Sequence, residues 1–355
     1  MGNCLVTKLK GSISNNELLR IGEMRIRIAK VGNPTDATQG FGIEVNKSVV
    51  LEIVGDGYFT DKTLNVNKGK NITLNVGING VWVSNEDVEI AILDKYSITK
   101  ISRNFPNQTS AAYGSNKYLN LSDLKYSNAL TSLDLSGSQV TGDIANLKGL
   151  TALTTLNLSG SQVTGDIANL KGLTALTSLN LRSTQVTGDI TNLKGLTALI
   201  SLDLRFVPVT GDIAAIMPLS KLNNAILNNV TGNISAINGT KLTSIIISNS
   251  GGLSGDIAKL KSDFVYLGLD NDNTSEFTWS SRDTNSCIFG NGGKPILLSN
   301  LDDMLINMSQ CRNGITSTSP IYYKTIQYQG NRTSASDAAV ETLQQKGYTI
   351  SIAKV

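Results

Sequence analysis

No histidine occurs anywhere in the chain. That absence removes Ser-His-Asp and Cys-His nucleophilic sites, histidine-ligated zinc and histidine general bases. Aromatic residues make up only 5% of the sequence, so the core must be built from Leu, Ile and Val. The three cysteines, Cys4, Cys287 and Cys311, are odd in number and scattered, which fits neither a disulfide framework nor a metal cluster. A Cys287–Cys311 pair and free thiols both stay open. No apolar run is long enough for a transmembrane helix. Lys8 and Lys10 interrupt the stretch after Met1-Gly2-Asn3-Cys4, so no signal peptide is expected there, and Val6 stands where a myristoylation motif wants Ser or Thr. Thirty-one basic residues face 28 acidic ones. That balance is too even for a phosphate-tracking surface, so no nucleic acid is expected as a partner. Carboxylate-pair chemistry needs no histidine, yet no paired-carboxylate cleft is visible. The chain is therefore expected to be no enzyme and to need no cofactor.

What the chain has is self-similarity. Thr-Gly-Asp-Ile begins at Thr141, Thr164, Thr187 and Thr210, then returns as Thr-Gly-Asn-Ile at Thr231 and Ser-Gly-Asp-Ile at Ser254. The successive offsets are 23, 23, 23, 21 and 23 residues. The first unit sets apolar residues at Leu130, Leu133, Leu135, Val140, Ile144, Leu147 and Leu150. Leu133 and Leu135 have strand spacing, which points both side chains to one face. A glycine-containing turn and a second short apolar segment follow. One such unit buries too little to fold alone; stacked units bury each other's faces and pair each other's strands.

The pattern LxxLxLxxSxVTGDI resembles a leucine-rich repeat, over about residues 122–271. Ser138, Ser161 and Thr184 stand where that family usually has Asn, so turn bonding there must come from hydroxyls. Val-Thr-Gly-Asp-Ile resembles the variant that adds a second short strand after the main one. The fifth unit is two residues short after Leu227, Phe206-Val207-Pro208 interrupts the turn of the fourth, and Phe264-x-x-Leu267-x-Leu269 reads as one more main strand.

Two columns of outward residues are candidate sites. Between and after the strand leucines lie Asn157, Asn180, Arg182, Asp203 and Arg205. They are the nominated ligand-binding residues of the concave face, to be weighed against a merely solvated sheet. Arg182, Asp203 and Arg205 form its charged cluster. The second column is Asp143, Asp166, Asp189 and Asp212, continued by Asn233 and Asp256. Adjacent strands lie roughly 4.8 Å apart, so like charges would stack there. A cation column is one reading. Capping of the next turn is the stronger one, with Lys148, Lys171 and Lys194 recurring five residues on to offset charge.

The expected fold is mostly β with an α/β end. Residues 1–105 alternate apolar and polar residues between Gly, Asn and Asp turns, which suits a β-sandwich or barrel. Residues 106–121 form a linker or the solenoid entry, 122–271 a leucine-rich-repeat solenoid of about six to seven units, and 272–355 a β-α-β cap. Asn15–Leu19 is expected as a short helix, Ser299 as the cap of a helix through Cys311, Tyr322–Gly330 as a strand, Thr333–Gln345 as a helix ending at Gly347, and Tyr348–Ile352 as a strand.

The opening MGNCLVTKLKGSISNNELLRIGEMRI and the close RTSASDAAVETLQQKGYTISI resemble proteins of Bacteroidales gut bacteria and of the crAss-like bacteriophages that infect them. The resemblance implies a non-enzymatic structural component of a virion, of head or tail-fibre type. Residues 1–105 would anchor it to other virion proteins and drive trimerisation as in fibres. The solenoid would meet a host-surface glycan or protein. Such a protein is made in the host cytoplasm and reaches the outside by assembly and lysis, without a signal peptide or membrane insertion. A bacterial surface adhesin and an intracellular protein-binding scaffold are the alternatives.

Overall fold

A computed structural model describes strands at 24–28, 41–45, 49–54, 58–60, 65–67, 71–74, 80–84, 88–92 and 98–102, then residues 120–138, 140–248, 250–261, 266–270, 276–280, 290–293, 296–310 and 325–353. The expected helix Asn15–Leu19 and most of the expected linker lie outside these. The chain divides into two compact units, 1–165 and 166–355.

In the first unit, short alternating segments form antiparallel pairs. Val88–Ile92 lies between Met24–Ile28 and Val49–Val54, and Val49–Val54 also pairs with Asn71–Leu74. A second set runs from Ile98–Ser102 through Phe41–Val45 and Gly80–Ser84 to the hairpin Tyr58–Thr60 with Asn65–Asn67. Tyr58–Thr60 is a strand that the sequence pattern did not single out. Ile98–Ser102 also accepts the first repeat strand, Ser132–Asp134, in parallel register. The repeats thus begin on the edge of a sheet already formed, and Ile98 and Ile101 join the core there.

The second unit is built of coils. Each leaves a main strand, turns, forms a second strand, makes one turn of 3-10 helix and returns. In the coil from Ser178 the residues Leu179, Leu181, Val186, Ile190, Leu193, Leu196 and Leu199 are all buried; these are the seven repeating apolar positions. Main strands Ser178–Asn180, Ser201–Asp203, Asn224–Asn228, Ser244–Ser248, Tyr266–Asp270 and Gly290–Gly293 pair in parallel. Second strands from Gln185–Asp189 pair in parallel on through Glu276–Thr278, Ile296–Leu298 and Thr325–Gln329 to Thr349–Ala353. Parallel pairing therefore runs on past residue 271. There the scarce aromatics join the buried leucines: among the described residues Phe277, Trp279 and Tyr328 are the largest fully buried side chains.

The hydroxyls at the turn work as the residue pattern requires. Ser138 Oγ donates to the Leu135 carbonyl at 2.6 Å, Ser161 to Leu158 at 2.6 Å and Thr184 to Leu181 at 2.7 Å, all buried. Each bond closes its own turn, because a short hydroxyl reaches a carbonyl only three residues back. In the shortened fifth unit the longer Asn228 side chain takes over. Its Nδ2 donates to the Val207 carbonyl one coil earlier, at 3.0 Å.

The last segment brings one correction. The helix Leu301–Ser309 starts after Asn300, not Ser299, and has no side-chain cap. Asn300 is engaged elsewhere: its Oδ1 accepts from the Trp279 N–H at 2.8 Å and its amide donates to the Trp279 carbonyl. Ser334–Ser336 forms one 3-10 turn before the helix Asp337–Gln345, which ends at Gly347 with φ +89°.

Asp302 ties these helices together. It accepts from Thr333 N–H at 3.0 Å, from Thr333 Oγ1 at 2.6 Å and from the Ser336 hydroxyl. Partial desolvation raises its pKa, but the bonds from Ser336 and Thr333 and the charge of Arg332 outweigh it, so the carboxyl sits below its usual 3.8. A depressed carboxylate pKa stabilises above the unfolded value, and the gain is lost as pH falls through the folded one. Asp302→Asn should therefore lower the thermal midpoint at pH 7. Melting curves of variant and wild type should converge as the pH falls below 3.8 and through the folded-state pKa; a constant gap across pH would refute the charge-dependent bonds.

Candidate functional site

The outward positions of the main sheet in the second unit line up across strands. Asn180 pairs with Asp203, Asp203 with Ile226, Ile226 with Ile246, Ile246 with Gly268 and Gly268 with Gly292. The row thus passes from an amide and a carboxylate to two half-buried isoleucines and then two glycines. Ile226 and Ile246 face outward only because strand alternation leaves them no core to enter; Ala225, Leu227, Ile245 and Ile247 take the buried side.

The nominated polar residues are partly committed to the backbone. Asn180 Oδ1 accepts from the Arg182 N–H at 3.0 Å and Asp203 Oδ1 from the Arg205 N–H at 3.0 Å. In the first unit, Asn157 accepts from Ser159 at 3.2 Å and Asp134 from Ser136 at 3.0 Å. A short acceptor two residues before an N–H forms this turn locally, so these side chains end the strands as well as face outward. Arg205 and Asp203 also form an ion pair at 3.1 Å. The structure brings Asn180, Arg182, Asp203 and Arg205 together within the second unit; Asn157 belongs to the first.

One participant was not nominated from the sequence. The turns after the first five main strands each contain a residue with positive φ: Gly137 (+58°), Gly160 (+69°), Ser183 (+55°), Phe206 (+58°) and Asn229 (+52°). For a non-glycine residue this costs roughly 1–2 kcal/mol. Phe206 bears that cost while 51% exposed, and the Arg182 guanidinium lies over its ring, 5.9 Å from the centroid. The signal was present in the repeat: an aromatic residue occupies a column otherwise held by Gly, Ser and Asn.

Register sets the spacing of the aspartate column. In the main sheet, partners are one full repeat apart, as in Ser178 with Ser201. In the second sheet they are staggered: Asp143 pairs with Thr164 and Asp189 with Thr210, two residues short of the repeat. The aspartates therefore do not sit side by side. Each caps the 3-10 turn that follows it, Asp143 accepting from Ala145 N–H at 2.7 Å, Asp166 from Ala168 at 2.8 Å, Asp189 from Thr191 at 2.7 Å and Asp212 from Ala214 at 2.8 Å. The side-chain and backbone bonds from Thr191 lower the Asp189 pKa. Each carboxylate also lies over the repeat glycine of the next coil: a Cβ added to Gly165 would meet Asp143 Oδ1 at 2.1 Å, and one on Gly188 would meet Asp166 Oδ1 at 2.4 Å. Among the described residues no group of three His, Cys, Asp or Glu is placed to hold a metal ion, and no helix is long and apolar enough to cross a membrane.

Main strand, left-handed turn, second strand and 3-10 turn, repeated with buried leucines at constant positions, define a leucine-rich-repeat architecture. Solved structures similar to the chain include internalin C2 of Listeria monocytogenes, 28% identical over 51% of this chain and 75% of that one, with a TM-score of 0.39. A second Listeria internalin is 19% identical over 74% and 85%, TM-score 0.42. The Arabidopsis receptor kinase HAESA, solved with a peptide hormone and a co-receptor, is 22% identical over 50% of this chain, TM-score 0.42, and the match spans only 31% of that receptor chain. No family model matches the chain, and no curated protein sequence matches it.

Proposed function

We propose that the chain is a non-catalytic binding protein whose main-sheet face in the second unit takes a protein partner. The observation that carries this is the mixed row of that sheet, where Ile226 and Ile246 adjoin the Asp203–Arg205 pair. Protein interfaces join a small apolar centre to a polar rim, and arginine and aromatic residues dominate their energetics. Arg182 and Phe206 extend the rim.

The finer reading is a structural component of a crAss-like phage virion, with residues 1–105 as anchoring and assembly segment and the repeats meeting a host-surface glycan or protein or another virion protein. The resemblance of the opening and closing segments supports it. Phage particles assembled with a chain lacking residues 1–105 should lack the protein by mass spectrometry; continued incorporation would refute the anchor. Purified full-length protein should bind Bacteroidales cells, and the double variant Arg182→Ala, Arg205→Ala should bind at least tenfold more weakly, about 1.4 kcal/mol. Unchanged binding would remove the sheet face from the reading.

A further inference from the structure

Phe206 is held out of the core by its neighbours. Its turn is fastened on both sides. Ser183 N–H donates to the Arg205 carbonyl at 2.9 Å, and Asn228 and Asn229 of the next coil direct their amides at the Val207 carbonyl, at 3.0 and 3.5 Å. Val207 next to it is fully buried, so the apolar requirement of the turn is already met. An aromatic ring in a left-handed backbone, half exposed, gives the fold little in return; strain of this kind persists where the surroundings over-determine it and is concentrated at binding sites.

Arg182 completes the arrangement. Its guanidinium carbon lies over the ring, 5.9 Å from the centroid. A cation–π contact engages the charge and leaves the guanidinium N–H donors able to meet a carboxylate bidentately. Among the described residues no carboxylate is paired with Arg182; the nearby Asp203 is bonded to Arg205. The cluster of two arginines and one aspartate has a surplus positive charge beside an exposed aromatic ring.

We propose that Phe206 and Arg182 form a prebuilt anchor for an acidic segment of a protein partner. A large apolar side chain of the partner would cover the ring, and an adjoining Asp or Glu carboxylate would meet the edge of Arg182. The inference rests on the reading of the main-sheet face as a binding surface and adds to it the chemistry of the partner.

The test is to pan full-length protein against a display library of random 12-residue peptides and to measure the enriched peptides by calorimetry. Peptides carrying Asp or Glu next to a large apolar residue should be enriched. Phe206→Ala and Arg182→Gln should each weaken them at least tenfold, while Phe206→Tyr should keep most of the affinity. Replacing the peptide's carboxylate by its amide should cost tenfold against wild type and little against Arg182→Gln. Peptides weakened by Ile226→Ser or Ile246→Ser but indifferent to Phe206→Ala would overturn the anchor and keep the sheet-face reading. No enriched peptide would overturn both.

Discussion

Gly188→Ala should destabilise the protein by about 2–5 kcal/mol, far beyond an ordinary surface substitution. Two effects combine. The backbone at Gly188 has φ +108°, which an alanine adopts only under strain. The new Cβ would also stand 2.4 Å from Asp166 Oδ1 and 3.2 Å from Ile167 Cγ2. Asp166 cannot swing away freely, because that same oxygen caps the Ala168 N–H at 2.8 Å. The steric part can be separated from the strain. Asp166→Ala alone loses a cap, about 1 kcal/mol. In the double variant the oxygen is gone, so urea unfolding should show a cost below the sum of the two singles by about 1–3 kcal/mol. Gly149→Ala is the control, since nothing lies within 4 Å of its added Cβ; it should change stability by less than about 1 kcal/mol. Equal costs at Gly149 and Gly188 would show that the carboxylate over the glycine is not a structural constraint.

The second large effect is expected at Leu202→Ala, about 2–5 kcal/mol. Leu202 is 1% exposed and lies between Leu179 and Ala225 in the paired strands on either side. Ala225 already makes this row thin, so a second small side chain leaves a cavity that a rigid β-sheet cannot collapse around. Asp203→Ala, one residue on and on the opposite face, should cost less, about 1–2 kcal/mol, the range of a partly buried ion pair and one turn bond. Chemical denaturation of the two variants measures the difference. Similar losses at both would mean that the strand does not alternate between core and surface.

The repeats were legible because of how they stack. A coil in such an array touches only its neighbours, and those neighbours have nearly its own sequence. The spacing of Leu179, Leu181, Val186 and Ile190 therefore states both what a coil presents and what it meets. The hydroxyls at Ser138, Ser161 and Thr184 and the aspartate caps could be read the same way, since each bond closes within three residues. The helix starts at Leu301 rather than directly after Ser299, with Asn300 held by Trp279, 21 residues earlier, a contact that no local pattern records.

The sequence by itself determined the coil: its period, its seven buried positions and the residues that end each strand, all of which depend on short-range spacing. Only the tertiary structure decided the register of the second sheet. That register depends on turn geometry and on packing against the main sheet together, and its two-residue stagger moved the aspartates from a stack of like charges to positions over the glycines. It also decided the candidate site. Arg182 and Phe206 are 24 residues apart in the chain and meet because parallel strands set one coil beside the next, so that a side chain leaving one turn comes to lie on the ring held out by another.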